Sequence, residues 1–317
     1  MTYAKVLAGA AVAALLSAPA TAADIRIGVP NWAAAEAISY MIDKLVEQET
    51  GAEVERIAST NPVIFKAMDS GDMDIHPDVW LPNQKNLTGE YVDNKKTVAL
   101  SDNSYDGFAG FCVTRKTAED LGVKNIYDLT DPDIAKKFDT NGDGKGEVWV
   151  GASGWAGTAI DTVRLTSYGV GETFEILEMD EALAIARIKE ADAAGSYFAT
   201  LCFAPHMMFQ LAELVQLEEP AYEESKWTMV QPTEDPDWLA KSNIEVAYPP
   251  IKIQIAYATR LAEAHPRVGE ILRGIQLDTA MINDWNYKIV EQKRDAEEVV
   301  DEWMTANPDR VKGWLGF

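Results

Sequence analysis

Residues that commonly hold transition metals are scarce in this 317-residue chain, which has two cysteines and three histidines. His76, His206 and His265 are scattered, and neither Cys112 nor Cys202 stands at zinc-ligand spacing from another Cys or His. That argues against zinc catalysis or a zinc-stapled fold. Basic residues are few as well: 28 Lys and Arg against 51 Asp and Glu leave a net charge of -23. A surface of that sign repels phosphate backbones and anionic lipid, so nucleic acid is not an expected partner. The same field favours cationic and zwitterionic solutes, although acidity of this kind also serves plain solubility. Ser, Cys and His nucleophile sets with recognisable spacing are missing, and Gly154-Trp155-Ala156-Gly157 is no phosphate loop. Beyond the N-terminus no apolar run approaches the ~20 residues that span a bilayer.

The first 22 residues have the form of an export signal: Lys5, the apolar stretch Val6 to Leu16, and the small-residue cleavage pattern Ala20-Thr21-Ala22. Removing Lys5, the only charged residue in that segment, takes the charge from -23 to -24. About 295 residues remain, enough for one large domain or two moderate ones. A periplasmic location follows. Export permits a Cys112–Cys202 disulfide. Both cysteines lie in apolar runs, so two buried thiols in neighbouring strands are an equal alternative.

Strand and helix patterns alternate along the chain. Ile25-Arg26-Ile27-Gly28-Val29 reads as a strand, and Asn31 can cap a helix that carries Ile38, Met41, Ile42 and Leu45 to Gly51. Glu53 to Ile57 reads as a second strand, Asn61 to Met68 as a helix ended by Gly71, and a third strand leads into Trp80. A βαβαβ opening implies a parallel sheet with helices on its faces. The grammar repeats with a strand at 148–151, helices at 158–168 and 181–194, and a strand at 197–203. Two helix-like segments, 253–265 and 267–279, and a helical tail close the chain. The predicted fold is α/β and two-lobed, each lobe a sheet flanked by helices, with a ligand cleft between. Lobe one takes residues 23–105 and 216–317, and lobe two takes 106–215.

Three tryptophans stand in Pro- or Gly-punctuated turns just beyond such strands: Trp32, Trp80 and Trp155. Ligands of open α/β sheets bind at that position. Aromatic faces there suit a cation that lacks hydrogen-bond donors, a quaternary ammonium above all. The segment Met68-Asp69-Ser70-Gly71-Asp72-Met73-Asp74-Ile75-His76-Pro77-Asp78-Val79-Trp80-Leu81-Pro82 resembles the signature of ABC-importer solute-binding proteins for glycine betaine, choline and related methylated amines. Gly28 to Trp32, Gly151 to Gly157 and Phe203-Ala204-Pro205-His206 fall where that family has its other ligand segments. The resemblance implies a periplasmic binding-protein fold, a monomer, and an ABC permease in the membrane as partner. It also implies ligand contacts from Trp32 and Trp80, with Phe203 standing where a tryptophan is usual. Trp155 stands at a turn that carries a polar ligand residue in choline binders. A fifth wall is expected from Tyr105, Phe108 or Phe111, and His206 is expected near the mouth of the pocket or at a helix start behind it.

Asp139-Thr140-Asn141-Gly142-Asp143-Gly144-Lys145-Gly146-Glu147 has the first half of a calcium loop. Asp139, Asn141 and Asp143 supply side-chain oxygens, Lys145 a carbonyl, and Glu147 a direct or water-borne contact. Position 12 is Val150, so the bidentate Glu of an EF-hand is missing, and a plain Gly/Asn/Asp turn is the alternative. Calcium is therefore expected as a structural ion, with no organic cofactor. Asp72, Asp74 and Asp78 alternate and read as the solvated edge of a strand rather than as acid–base groups.

These readings converge on a non-enzymatic binding component of an importer. Its expected ligand is a trimethylated amine held by cation–π contacts: trimethylamine N-oxide first, then glycine betaine or choline. An exported calcium-dependent hydrolase built on Asp72, Asp74 or Asp78 is one alternative. A ligand-sensing domain for a signalling receptor is the other.

Overall fold

The computed structural model describes residues 23–316, so the expected export signal lies outside the described residues. Ile25–Val29 (β1), Val54–Ala58 (β2) and Ile75–Leu81 (β3) form the parallel opening, with β1 between the other two. The Ala33–Thr50 and Asn61–Ser70 helices connect them, each closed by a left-handed glycine, Gly51 and Gly71. Asn31 is not the cap of the first helix. Trp32 is, without a side-chain cap bond, and Asn31 is engaged elsewhere.

Val98–Leu100 (β4), Tyr105–Thr114 (β5), Gly146–Gly151 (β6), Phe174–Glu178 (β7), Ala199–Ala204 (β8) and Leu214–Gln216 (β9) follow. Trp227–Thr228 (β10) and Asn243–Ile244 (β11) make a separate short hairpin. Ile251–Ala258 (β12) overturns the helix expected over 253–265; only Thr259–Ala264 of that stretch is helical. The run Ile251-Lys252-Ile253-Gln254-Ile255 alternates with period two, and its isoleucines are buried while Lys252 is exposed. β-branched alternation of that kind favours a strand over a helix.

The main sheet runs β2-β1-β3-β12-β5-β8-β6-β7, with β4 beside β12 and β9 beside β5. β12 lies antiparallel between β3 and β5 and so links the two halves. One hydrophobic core gathers buried residues from both chain ends, including Ile27, Ile38, Phe65, Val79, Ile253, Leu272 and Trp285, with Ile160 and Val163 reaching in. A second core, with Phe111, Phe138, Val148, Leu165 and Phe174, belongs to the middle of the chain. No helix among the described residues is long and apolar enough to cross a membrane.

Cys112 and Cys202 form a disulfide between β5 and β8, their Cα atoms 5.7 Å apart. Gly110 is the register partner of Cys202 and Thr200 that of Cys112, so the bridge crosses the pair diagonally. It closes a 90-residue loop of sequence, which restricts the unfolded chain strongly. Replacing both cysteines by alanine is expected to cost about 2–4 kcal/mol and lower Tm by roughly 5–10 °C. Calorimetry with and without a thiol reductant checks this: the reductant should lower the Tm of the native chain and leave the double variant unmoved.

Candidate functional site

Strand ends place four aromatic rings around one cavity. β3 is central and almost wholly buried, and its period-two alternation sets His76, Asp78 and Trp80 on one face. Trp80 stands near the carboxyl end of the strand, opposite Ile253 of β12, which is in turn opposite Tyr105 at the start of β5. Trp32 follows β1 through the Pro30-Asn31 turn. Trp155 follows β6, where the chain turns sharply at Gly151, whose φ is 121°. A Cβ there would come within 2.4 Å of Thr158 Oγ1, so the turn needs glycine. Phe203 stands near the end of β8, opposite Ala109 of β5.

The rings meet edge to face. Trp32 and Trp155 have centroids 6.1 Å apart at 83°, Trp155 and Phe203 5.8 Å at 90°, and Trp80 and Phe203 5.9 Å at 82°. Such contacts are preferred geometries for aromatic pairs and each contributes about 0.5–1.5 kcal/mol beyond area burial. Trp149 backs Trp155 at 6.0 Å, and its indole N–H donates to the Met179 carbonyl at 3.0 Å. The cavity, partly open to solvent, measures about 80 Å³. That holds on the order of five to eight water-sized groups, which suits a small solute.

Asp78 organises two of these walls. It is fully buried, and its Oδ2 accepts the indole N–H of Trp32 at 2.6 Å and that of Trp80 at 3.0 Å. Its Oδ1 accepts the Tyr105 hydroxyl. Burial raises the Asp78 pKa while the three donors pull it down. Burial also carries the Tyr105 hydroxyl well above its usual range, with the neighbouring carboxylate adding to the effect. Behind it, the Asp78 backbone N–H donates to His76 Nδ1 at 3.2 Å, so His76 Nε2 carries the proton that meets Asn61 Oδ1 at 2.9 Å. Burial holds that imidazole neutral, its pKa lowered to about 3.

The opposite wall of the cavity is fixed similarly. The indole N–H of Trp155 donates to Asn31 Oδ1 at 3.1 Å, which ties the central turn to the loop carrying Trp32. His206 Nδ1 accepts the Met208 backbone N–H at 3.0 Å, and its Nε2 meets Glu181 at 2.7 Å. His206 is 4.5 Å from the Phe203 ring and lines the cavity.

Of the expected ligand residues, Trp32, Trp80, Trp155, Phe203 and His206 line this cavity. The candidates for a fifth wall do not. Tyr105 stands behind Trp32 and Trp80 on Asp78, Phe108 packs 6.3 Å from Phe209, and Phe111 is buried in the second core. The solvated edge expected for the alternating acids is wrong for two of the three. Asp74 and Asp78 are buried because β3 is an inner strand, and Asp74 is held by Arg260 at 2.7 Å and by the Arg26 backbone N–H at 2.7 Å. Sequence reading missed Asn61, Asn83, Gln84, Asp161, Glu181 and Asn286, which supply the polar lining. Asn83 Oδ1, Gln84 Oε1 and Asn286 Oδ1 are buried without a hydrogen-bond partner. No Lys or Arg lines the cavity.

The 139–147 loop turns its acids onto its own backbone. Asp139 accepts from Gly142 N at 2.6 Å and Gly144 N at 2.8 Å, Asn141 from Asp143 N at 2.9 Å, and Asp143 from Lys145 N at 2.8 Å. Glu147 accepts from the Thr140 hydroxyl. Loop amides lower the Asp139 pKa. Among the described residues no group of three or more His, Cys, Asp or Glu side chains is arranged to hold a metal ion.

Residues 23–306 match the family described as the substrate-binding domain of ABC-type glycine betaine transport systems. The glycine betaine/proline betaine-binding periplasmic protein of Salmonella typhimurium is 26% identical over 65% of this chain, and the match spans 63% of that relative's length. A solved ABC-transporter choline-binding protein in complex with choline superposes with a TM-score of 0.71 at 18% identity, covering 92% of this chain and 91% of its own. Lactococcal OpuAC, closed and complexed with glycine betaine, gives 0.68 at 19% identity, covering 92% and 98%. At those identities the likeness establishes the fold, that of two-lobed periplasmic binding proteins.

Asp78→Asn would place an amide N–H₂ among three donors. Hydrogen bonds to a charged group contribute about 1.5–3 kcal/mol, so affinity for the ligand should fall tenfold or more. Calorimetric titration of variant whose near-ultraviolet circular dichroism is unchanged checks this.

Proposed function

We propose that this chain, which belongs to the family of substrate-binding domains of ABC-type glycine betaine transport systems, captures a small trimethylated amine in the periplasm for an ABC permease. The family is one of solute-binding components, not enzymes. Asp72, Asp74 and Asp78 give no support to the hydrolase alternative: the first is exposed, the second is paired with arginine, and the third lies behind indoles.

The observation that carries the proposal is the four rings, Trp32 and Trp80 from one lobe and Trp155 and Phe203 from the other, on one cavity. A trimethylammonium head offers no conventional hydrogen bond. Ring faces attract its charge by about 0.5–2 kcal/mol each and accept its methyl groups. With burial of those methyls, several kcal/mol accrue, enough for micromolar affinity near -8 kcal/mol. Closure of two half-sites supplies the full set of rings and expels water.

Trimethylamine N-oxide ranks first, followed by glycine betaine and choline. The cavity is small, it is apolar at Trp155, and no cationic side chain stands ready for a carboxylate. The start of the Ala156–Ser167 helix, with Ala156 and Gly157 on the cavity, offers backbone N–H groups to the ligand's oxygen.

Titrating tryptophan fluorescence with each amine, beside alanine as control, tests the proposal. A saturable response to at least one amine is expected, weakened tenfold or more in Trp155→Ala. Silence to all three would overturn it.

Calcium enters the proposal as a structural ion of the 139–147 loop, supported by the spacing of Asp139, Asn141, Asp143, Lys145 and Glu147. Added calcium should raise Tm and a chelator should reverse the rise; equal melting curves would remove the ion.

A further inference from the structure

Behind the cavity one arginine serves two acids, and one of those acids faces the ligand space. Arg164 Nη1 donates to Asp161 Oδ1 at 2.7 Å, and Nη2 donates to Glu219 Oε1. All three side chains are at most 2% exposed. The rings of Phe111 and Tyr248 lie 4.9 and 4.5 Å from the guanidinium carbon. Glu219 alone balances Arg164, so Asp161 is a surplus buried acid. Such a group is costly to keep unless it is specifically engaged.

Its second oxygen is available. Asp161 Oδ2 has a single long contact, 3.4 Å from the Tyr248 hydroxyl. A Cβ at Gly157 would lie 2.9 Å from Asn83 Nδ2, 3.8 Å from Asp161 Oδ2 and 3.9 Å from the Tyr248 hydroxyl. The missing side chain therefore keeps a polar corner open, and Asp161, Asn83 and Gly157 all line the cavity.

We propose that Asp161 determines specificity at the ligand's oxygen end, hydrogen-bonding an N-oxide or hydroxyl oxygen and disfavouring a carboxylate. This rests on the trimethylated-amine reading above. Burial pushes the Asp161 carboxyl up to about 7 against the pull of Arg164, so both of its forms are accessible near neutrality. The protonated form donates to an N-oxide oxygen, and the ionised form accepts a hydroxyl proton. A ligand carboxylate instead brings a third acid to a site that holds one arginine, and like charges at that range oppose one another.

The test is calorimetric titration of the whole mature chain with trimethylamine N-oxide, choline and glycine betaine. The native protein should bind the N-oxide or choline more tightly than glycine betaine; the reverse order overturns the proposal without any variant. In Asp161→Asn, which keeps the size and leaves Glu219 on Arg164, the preference over glycine betaine should shrink tenfold or more. A smaller change, or equal weakening toward all three amines, overturns it. Glu219→Gln removes the acid that balances Arg164, so a ligand carboxylate becomes the second acid there rather than the third and the preference should shrink in this variant too; a preference left unmoved in Glu219→Gln also overturns the proposal. Failure of the native chain to bind any amine would instead sink the reading on which the proposal rests.

Discussion

The Asp78 carboxylate is the point on which the site turns. Trp32 and Trp80 come from different strand-end segments, and nothing in their local sequence aligns them. Both donate their indole N–H to the same oxygen, and Tyr105 holds the other. His76 then fixes the Asp78 backbone from behind and is itself fixed by Asn61. Asp78, Tyr105, His76 and Asn61 are all buried, so each link among them must be satisfied for the next to be tolerable. A single strand position thus converts two flexible indoles into rigid walls with known orientation.

The second half of the site depends on different devices. Trp155 is set by a glycine turn, by Trp149 beneath it and by Asn31 across the cleft. Phe203 is set by its strand, whose preceding residue is tied by the disulfide to β5. Trp32 and Trp80 pack against the core built from both chain ends, while Trp155 and Phe203 pack against a small separate cluster of Cys112, Trp149, Ala184, Leu201, Cys202 and Met208, and the contacts that complete the cavity are those between the two pairs. That arrangement lets a solute enter one half and be enclosed by the other.

The walls were legible in the sequence because tryptophans in punctuated turns are unusual, and strand ends are where α/β folds bind. Trp32, Trp80 and Trp155 could be named on that ground, and Phe203 through the family resemblance. The polar lining was not legible. Asn83, Gln84 and Asn286 are ordinary amides in ordinary context, brought together only by tertiary folding. Asp78 was visible but misread, since alternation cannot tell a solvated strand from an inner one whose charges are paired. The β12 strand was missed although its isoleucines alternate with Lys252 and Gln254, because the Ile255 to Ala264 stretch that follows also fits a helix. The disulfide was left open by the sequence because pairing needs geometry that spacing does not contain.

The position of Asp78 has a consequence for ionic strength. The negative surface field of this chain acts through water, and counter-ions weaken it over roughly 8–10 Å at physiological salt. Asp78 has no contact with water, and the indoles of Trp32 and Trp80 stand between it and the cavity. Mobile ions cannot enter that space. A cation seated against those rings would therefore feel nearly the same attraction in brine as in fresh water, while its approach to the protein slowed as salt rose.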